Sequence, residues 1–466
     1  METLQRAINR GNVSTGYDVA NSLKVESDNN EYLERSTSGA TDGSSTQHTI
    51  SVWVKRTELG VDSEPVSAGG IGRFRFESND TFSYQFRSGK EIITNRVFRD
   101  TSAWYHIVAA ADSSQSTASN RMRLYVNGVE ETSFGTAVYQ DQDQASPGWG
   151  KNTLYSLRVG AAASNTRNFN GYIAEMYYID GQTLDPTSFG EFDSDTGIWI
   201  PKKFSGTHGT LDTYLNFSDS SNLGKNSGGT TDLTANNITA ADQAIDTCTN
   251  NFCTFNILVH TDNKPTISDG AMKVVGQGTS NWGNAYGSMG VQRGKWYYEY
   301  KVDNTDIGGH GWSTFPDTSD DATSAQFLFD QSAVLQGSGT HYYQRINGTQ
   351  ISNESTGFGT SAVNDIFGVF LNADDQEITW AKNGSVLSGS LSQPISLNAA
   401  FSGHFIFPCN VQFENDGGQY NFGAYTLISN TRSFSDADGQ GKFVYSPVLS
   451  GVNYFALCSK NLAEYG

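Results

Sequence analysis

Residues 172–179 read YIAEMYYI and carry large apolar or aromatic groups on both faces of an extended chain. Because successive side chains of a strand point to opposite faces, this stretch predicts a strand that is covered on both sides. Earlier segments alternate at a period of two, among them 49–55 (TISVWVK) and 82–86 (FSYQF). Residues 122–129 contain an Asn-Gly pair, which is typical of a two-residue hairpin turn. Regularly spaced short strands of this kind predict a β-sandwich.

The composition agrees with strands joined by short turns. The 466 residues include 49 Gly but only 9 Pro, and the length suits two or three domains. Hydrophobic residues make up 36% of the chain, yet aromatic residues reach 12%. Aromatic side chains bury large areas, so a modest hydrophobic fraction can still form cores. These properties predict an all-β protein.

The net negative charge argues against two classes of binding partner. The formal net charge is -19 and the pI is near 4.7, which disfavours nucleic acid and anionic membranes. No segment approaches the ~20 apolar residues of a membrane span, so we expect no membrane insertion. The start, METLQR, lacks the apolar centre of a signal peptide, and we expect synthesis in a cytoplasm. Four Cys in so long a chain do not indicate a disulfide framework.

The strand signals fall into two groups. We expect one β-sandwich at 23–200, a polar connector at 201–265 and a second β-sandwich at 266–466. The connector is rich in Ser, Asn and Gly and has no clear period. The second sandwich begins with a strong strand at 295–302. Four large side chains of that strand share one face: Trp296, Tyr298, Tyr300 and Val302.

The first sandwich resembles a known superfamily. The segments that carry the resemblance are ISVWVKR at 50–56, WYHIV at 104–108, RLYVNG at 123–128 and FNGYIAEM at 169–176. In order and spacing they resemble the laminin-G-like, concanavalin A-like lectin and glucanase superfamily, over about 49–180. The resemblance implies a jelly-roll sandwich and a lectin-like binding role.

The second sandwich resembles SPRY domains. The matching segments are GKWYYE at 294–299, HGWS at 310–313, FGVFL at 367–371 and WAKNG at 380–384. The two resemblances together imply two jelly-roll or concanavalin A-like β-sandwiches in tandem, preceded by a short N-terminal arm.

The joining and C-terminal segments add a third resemblance. TGIWIPKK at 196–203 and ALCSKNL at 456–462 resemble structural proteins of marine bacteriophages, described as tail-fibre or lectin-like virion components. The resemblance runs from about residue 17 onward. It implies a protein of the virion, made in the host bacterial cytoplasm and exposed on the particle.

The first residues are interpreted as an arm. Residues 1–22 could form one or two amphipathic turns with Leu4 and Ile8 on one side, too short for an independent helix. We expect this arm to dock the protein onto other virion proteins through Leu4 and Ile8. Viral fibres usually form closed symmetric oligomers, so we expect a homotrimer.

No enzyme chemistry is predicted. Glycoside hydrolysis needs two carboxylates across the sugar, and the strand at 172–179 offers Glu175 alone, which we expect to meet Arg or backbone donors. A serine hydrolase needs a nucleophile, a base and an orienting acid. None of the seven His lies in a Gly-x-Ser-x-Gly setting, and we expect His106 and His310 to be structural.

No cofactor is predicted, although two acidic clusters are candidates for calcium binding. Asp193 with Asp195, and Asp436 with Asp438, cluster oxygen ligands around glycine turns. Neither cluster has the helices or the late Glu of an EF-hand. An Asx turn explains each cluster better than a calcium site does.

Aromatic and amide side chains on loops are the predicted ligand contacts, because rings stack on sugars and amides bind hydroxyl groups. The candidates are Tyr139, Trp149, Asn152, Trp282, Asn284, Tyr286, Tyr342 and Tyr343. For Tyr342 and Tyr343, core packing or subunit contact is slightly favoured over sugar contact.

The sequence therefore predicts a bacteriophage virion structural protein, a tail fibre or a head-decorating fibre. It would bind a host surface glycan or protein through lectin-like sandwiches. Two alternatives stay open: an architectural protein that decorates the capsid or tail without host contact, and a glycan-depolymerising enzyme.

Overall fold

The structure is a computed structural model that describes residues 16–151, 153–260, 264–278, 282–304, 308–314, 332–337, 342–346, 349–354, 362–388, 395–397, 401–424 and 432–466. The described chain forms two compact units that divide between Asn250 and Asn251. Within these residues the regular structure is nearly all strand, with three 3-10 turns and one short α-helix. The predicted all-β fold class is confirmed.

The first unit runs to Asn250. Its strands are β1 (Ser22–Val25), β2 (Tyr32–Glu34), β3 (Gln47–Arg56), β4 (Ser63–Ala68), β5 (Gly72–Phe76), β6 (Thr81–Arg87), β7 (Lys90–Val97), β8 (Tyr105–Asp112), β9 (Met122–Val126), β10 (Val129–Glu130), β11 (Phe134–Ala137), β12 (Leu157–Val159), β13 (Gly171–Asp180), β14 (Gly190–Phe192), β15 (Trp199–Pro201), β16 (Thr213–Leu215), β17 (Thr234–Asn236) and β18 (Gln243–Ala244). The 3-10 turns are Ala118–Asn120, Pro186–Ser188 and Ala240–Asp242.

Two sheets form the sandwich of the first unit. In the described residues, sheet 1 has the order β10-β9-β8-β3-β13-β1-β18, with β16 also paired to β13. Sheet 2 has the order β11-β7-β6-β5-β4-β12-β2-β17. Their facing sides enclose one core of aliphatic and aromatic residues, which includes Ile50, Val54, Phe74, Phe82 and Ile173.

Strand β13 lies inside sheet 1 and is covered on both faces, as its sequence predicts. It pairs with β3 on one side and with β1 and β16 on the other. Ile173 and Tyr178 belong to the core between the sheets. Tyr172 and Tyr177 belong to clusters on the opposite side of sheet 1. The second face is therefore packed as well.

A β-bulge changes the alternation of β13. The register with β3 shifts between Ala174 and Tyr177, and Glu175 has a φ of 47°. A bulge inserts one extra residue and re-aims the side chains that follow it. Here Met176 faces the core, whereas the Glu175 carboxylate contacts Tyr17 on the outer side. The bulge thus keeps a carboxyl group out of the hydrophobic core.

Residues 201–250, which we expected in the connector, instead complete the first unit. Strands β16, β17 and β18 pair with β13, β2 and β1. The ammonium group of Lys55 lies 2.8 Å from Asp246 Oδ2, and both side chains are fully buried. Trp104 donates its indole N–H to Asp246 Oδ1 at 3.0 Å. Pairing and a buried ion pair hold this polar segment on the sandwich.

The second unit runs from Asn251 to the last residue. Its strands are β19 (Phe255–His260), β20 (Thr266–Ser268), β21 (Lys273–Val275), β22 (Trp282–Gly287), β23 (Lys295–Val302), β24 (Gly309–Ser313), β25 (Ser332–Gly337), β26 (Tyr342–Ile346), β27 (Thr349–Glu354), β28 (Ile366–Asn372), β29 (Glu377–Lys382), β30 (Ser385–Val386), β31 (Ile395–Ser396), β32 (Phe407–Phe413), β33 (Gly417–Asn421), β34 (Phe434–Ser435), β35 (Lys442–Phe443), β36 (Val448–Leu449) and β37 (Val452–Asn453), followed by helix α1 (Ser459–Tyr465).

The second unit is also built from two sheets. In the described residues, sheet 3 has the order β19-β22-β32-β24-β25-β26-β27, and sheet 4 has the order β20-β21-β33-β23-β28-β29-β30, with β31 beside β29. The predicted face of β23 enters its core: Trp296, Tyr298, Tyr300 and Val302 are all buried there.

The C-terminal segment covers the other side of β23. Glu299 lies on that side and accepts the backbone N–H groups of Val444 (3.0 Å) and Tyr445 (2.8 Å). Tyr297 packs its ring against Phe443 at 4.8 Å. Polar and aromatic contacts together hold the C-terminal segment against β23.

In the described residues, no helix has the length and apolar character needed to cross a membrane. Cys248, Cys253, Cys409 and Cys458 are buried, and none of these four forms a disulfide.

Candidate functional site

A pocket of about 240 Å³ opens in the first unit beside the end of β2 and the start of β16. Short polar side chains from three loops surround it. The lining residues are Arg35, Ser36, Ser38, Gly39, Ala40, Thr41, Thr210, Leu211, Asp212, Asn226, Thr230 and Thr231.

Two buried charged residues form the floor of this pocket. Arg35 is 5% exposed and Asp212 is 1% exposed. Arg35 donates a hydrogen bond from Nη2 to Thr213 Oγ1. Asp212 accepts the backbone N–H of Asp180 on Oδ1 and that of Gly209 on Oδ2, both at 2.8 Å. The carboxylate is thus held by backbone donors on both oxygens.

At the floor of the pocket, the cationic side chain of Arg35 lies near the acidic side chains of Asp180 and Asp212. Burial lowers the pKa of Arg35, and the nearby Tyr178, Asp180 and Asp212 oppose that effect. An arginine stays protonated in proteins because its intrinsic pKa is so high. Burial raises the pKa of Asp180. The floor residues Arg35 and Asp212 sum to +1 − 1 = 0, and an ionised Asp180 beside them would add a negative charge, so the floor has no net positive charge to attract anions.

Asn226 fixes one wall of the pocket. Its side-chain amide makes five hydrogen bonds of 2.9–3.1 Å. Oδ1 accepts from three backbone N–H groups and Nδ2 donates to two backbone carbonyls: Tyr214, Gly228 and Gly229, then Asp212 and Thr231. A Cβ at Gly229 would collide with the Asp212 carbonyl, so only glycine fits this approach. The wall is therefore formed in advance of any ligand.

Hydroxyl groups line the rim. Six exposed residues supply them: Ser36, Ser38, Thr41, Thr210, Thr230 and Thr231. Within the described part of the chain, the hydroxyls of Ser38, Thr210 and Thr231 make no hydrogen bond. A hydroxyl can both donate and accept. The pocket can thus offer several hydrogen bonds to a polar ligand.

The predicted ligand residues of the first unit lie elsewhere. Trp149 is fully buried, its indole N–H donates to the Gln85 carbonyl at 2.9 Å, and its ring lies 5.4 Å from His48. It is a core residue, in contrast to the expected loop contact. Tyr139 is half-buried against the core between the sheets. Asn152 lies outside the described residues.

The candidates of the second unit are mostly inside a sheet. Asn284 and Tyr286 are buried in β22, which differs from the expected loop position, whereas Trp282 at the start of β22 is half-buried. Tyr342 and Tyr343 lie in β26, and their side chains are outside the described part. Leu4 and Ile8 of the arm also fall outside the described residues. Tyr17 and Val19, which we expected in the arm, instead pack on the first unit.

The two calcium candidates are closed by internal hydrogen bonds. Asp193 Oδ1 accepts the N–H groups of Asp195 and Thr196, which makes an Asx turn. Both carboxylate oxygens of Asp436 accept hydrogen bonds, and Asp438 accepts a tyrosine hydroxyl. Among the described residues, no three His, Cys, Asp or Glu side chains are placed to hold a metal.

Glu175 is enclosed by tyrosines. It accepts the hydroxyls of Tyr17 (3.1 Å), Tyr177 (3.0 Å) and Tyr214 (3.1 Å), where we had expected Arg or backbone donors. Burial raises the pKa of Glu175. At 4% exposure the carboxyl group cannot reach a sugar without rearrangement of these rings.

A serine–histidine contact in the first unit has the wrong proton arrangement for catalysis. Ser51 Oγ lies 2.8 Å from His106 Nε2, and both residues are fully buried. Trp199 donates its indole N–H to His106 Nδ1 at 2.9 Å. Burial lowers the pKa of His106 to about 3, so the ring is neutral and carries its proton on Nε2. Nε2 thus donates to Ser51 and cannot act as its base.

Sequence reasoning missed the pocket because its parts are far apart in the chain. Arg35, Asp212 and Asn226 come from segments without a motif. The local signal was the Ser-, Gly- and Asn-rich character of 219–229, which we had interpreted as connector sequence. Hydrogen bonding of Asn226 to a neighbouring strand gives that sequence its structural role.

No curated protein matches this chain. Solved structures that align with it include the SPRY domain of human HERC1, at 12% identity, 38% of this chain, 99% of that chain and a TM-score of 0.27. The PSpry domain of TRIM65 aligns at 15% identity, 36% of this chain, 88% of that chain and a TM-score of 0.29.

A family model matches part of the first unit. The match covers residues 27–184, which include the pocket residues Arg35 and Thr41 and exclude Thr210, Asp212 and Asn226. The pocket is therefore shared between the matched segment and the segment that follows it. Residues 27–184 of this chain are similar to the Concanavalin A-like lectin/glucanases superfamily.

Proposed function

We propose that this chain is a non-enzymatic binding protein whose sandwiches hold loops that recognise a host surface glycan or protein. The observation that carries the proposal is the polar pocket of the first unit, whose Asn226 wall is hydrogen-bonded in place. A pocket formed in advance loses less entropy on binding than loops that must first order. The family match over 27–184 supports a lectin-like role.

Two features favour binding over catalysis. The His106 ring donates to Ser51 where a base would have to accept, and Glu175 is closed in by three tyrosine hydroxyls. Nucleophilic catalysis and glycoside hydrolysis both need a free proton acceptor beside the reacting atom. These groups therefore serve the structure.

We propose further that the protein belongs to a bacteriophage particle, as a tail fibre or a fibre on the head. The sequence resemblance of the joining and C-terminal segments supports this assignment. The arm would dock it onto other virion proteins through Leu4 and Ile8, whereas Tyr17 and Val19 already pack on the first unit. A homotrimer is the assembly that we expect. The net charge of -19 suits a protein that stays soluble when crowded on a particle.

The test is binding by the isolated full chain to a glycan array and to whole bacteria, run beside an assay for released sugars. We expect binding to a restricted set of glycans or hosts, with no oligosaccharide released. Release of oligosaccharide contradicts the non-enzymatic proposal. Absence of binding to every glycan and host tested contradicts attachment and favours the architectural role.

A further inference from the structure

We propose that the pocket formed by Arg35, Asp212 and Asn226 binds one ring of a neutral sugar. This inference rests on the proposed binding function and names the ligand class of that site. It is argued from the charge, size and hydrogen-bonding groups of the pocket.

The charge of the floor selects a neutral ligand. Arg35 lies near Asp180 and Asp212, which interact electrostatically with its guanidinium group. An acidic sugar or a sulfate would bring a negative charge beside the buried Asp212 carboxylate and the half-buried Asp180 side chain. A cation would meet the Arg35 guanidinium, which lines the pocket together with Asp212. Uncharged hydroxyl groups meet neither obstacle.

The size and shape of the pocket favour a single ring. Its volume of about 240 Å³ is below the ~300–1,000 Å³ that is typical of sites for drug-sized molecules. A pocket of this size holds about one sugar ring, and its exposed rim leaves room for the rest of a chain to continue into solvent.

The rim supplies hydrogen bonds from three separate segments of the chain. Ser38 follows β2, whereas Thr210 and Thr231 come from the segments on either side of β16. Their hydroxyls make no hydrogen bond within the described chain. Each can donate to one sugar hydroxyl and accept from another. Such a rim matches a ring that carries hydroxyls on several carbons.

The expected affinity is low, because no aromatic ring is among the residues that line the pocket. A small polar ligand held mainly by hydrogen bonds exposed to water should have a dissociation constant on the order of 1 mM. Attachment to a cell would then require several pockets acting together in an oligomer. The proposed homotrimer would meet this requirement.

The experiment measures saturation-transfer NMR of the full chain with methyl glycosides of glucose, galactose and mannose, and with methyl glucuronide. Ser38→Trp and Thr210→Trp block the pocket from two sides. Thr132→Trp is the matched control, because Thr132 is an exposed threonine of the same unit outside the pocket. Thermal unfolding of each variant verifies folding.

We expect at least one neutral methyl glycoside to bind in the millimolar range, with at least tenfold weaker binding in both pocket variants and unchanged binding in Thr132→Trp. Glucuronide should bind more weakly than its neutral counterpart. Equal binding by Thr210→Trp and wild type, tighter glucuronide binding, or no binding of any neutral glycoside overturns the inference. If the wild type and Thr210→Trp bind whole bacteria equally, the inference fails and the proposed function stands. If neither binds any host, the proposed function fails.

Discussion

Lys55 and Asp246 form an ion pair of 2.8 Å although 191 residues separate them in the sequence. Both side chains are at most 1% exposed, and Trp104 shares the Asp246 carboxylate. The contact joins the central strand β3 to the segment that precedes Asn250. It explains how a polar stretch without periodicity becomes part of a folded unit.

Removal of one partner of this pair should destabilise the first unit strongly. Asp246→Ala leaves the Lys55 ammonium buried without its counter-charge, and such losses cost about 3–5 kcal/mol. The double variant Lys55→Met/Asp246→Leu removes both charges and should recover most of that loss. Urea unfolding of the full chain gives the free energies.

The control is Lys90 with Asp141, an ion pair of 3.1 Å in which Asp141 is 73% exposed. Exposed pairs contribute roughly 0–1 kcal/mol, so Asp141→Ala should leave the free energy of unfolding nearly unchanged. If Asp246→Ala costs no more than Asp141→Ala, residues 201–250 do not depend on the buried pair.

His106 should make the first unit sensitive to acid. Burial lowers its pKa to about 3 in the folded protein, against an unfolded value near 6.5. Between these values the unfolded chain binds the additional proton, so stability falls as the pH falls below about 6.5. The contribution of His106 is about 1.4 kcal/mol per pH unit in that window.

The variant His106→Gln tests the predicted direction of this pH dependence of stability. Its free energy of unfolding should lie below that of the wild type at pH 7.5, and the difference should shrink as the pH falls from 6 to 5. His404→Gln, which changes an exposed His, is the control for the substitution itself. A His106→Gln difference that grows in acid contradicts the assigned protonation.

The sequence predicts strands where side chains obey a local period. The aromatic face of β23 is of this kind and is buried as expected. The stretch 172–179 was instead predicted from large side chains on both faces, and it is buried as well. Trp149 misled the prediction because it lies in the polar segment 140–150 (QDQDQASPGWG), which is typical of an exposed loop. Its burial depends on Gly72, where a Cβ would lie 2.5 Å from the indole ring. A local sequence pattern does not show which residues pack against each other when they are far apart in the chain.

The pocket could not be predicted from the sequence for the same reason. Arg35 and Asp212 are 177 positions apart, and each follows or precedes a strand of only three residues. Neither segment is periodic enough to predict pairing. The Asn226 amide organises its wall through five backbone groups, which no residue pattern specifies.

Glu299 should give the second unit the opposite pH dependence. Burial raises the pKa of Glu299 to about 7, against an unfolded value near 4.5. The folded protein binds the additional proton between these values, so stability falls as the pH rises from 4.5 to 7. The shift corresponds to about 3 kcal/mol over the whole window.

Glu299→Gln removes this titration. An amide places N–H groups against backbone donors, so the variant should be less stable than wild type at pH 5, and the difference should shrink toward pH 7.5. Glu464→Gln, which changes an exposed Glu of the same unit, is the control for the substitution itself. A constant Glu299→Gln difference across this range contradicts the raised pKa.

Asn226 should act on ligand binding by positioning the pocket wall. Asn226→Ala removes five hydrogen bonds from a half-buried site and should cost about 1–3 kcal/mol of stability. Binding of the neutral methyl glycosides should weaken at least tenfold in saturation-transfer NMR, because Thr231 loses its anchor. Asn127→Ala is the matched control, since Asn127 adopts a φ of 47° in a distant hairpin, where alanine is strained. It should lose comparable stability and keep its binding. Equal loss of binding in both variants would mean that stability alone governs recognition, and wild-type binding by Asn226→Ala would mean that the wall is not required.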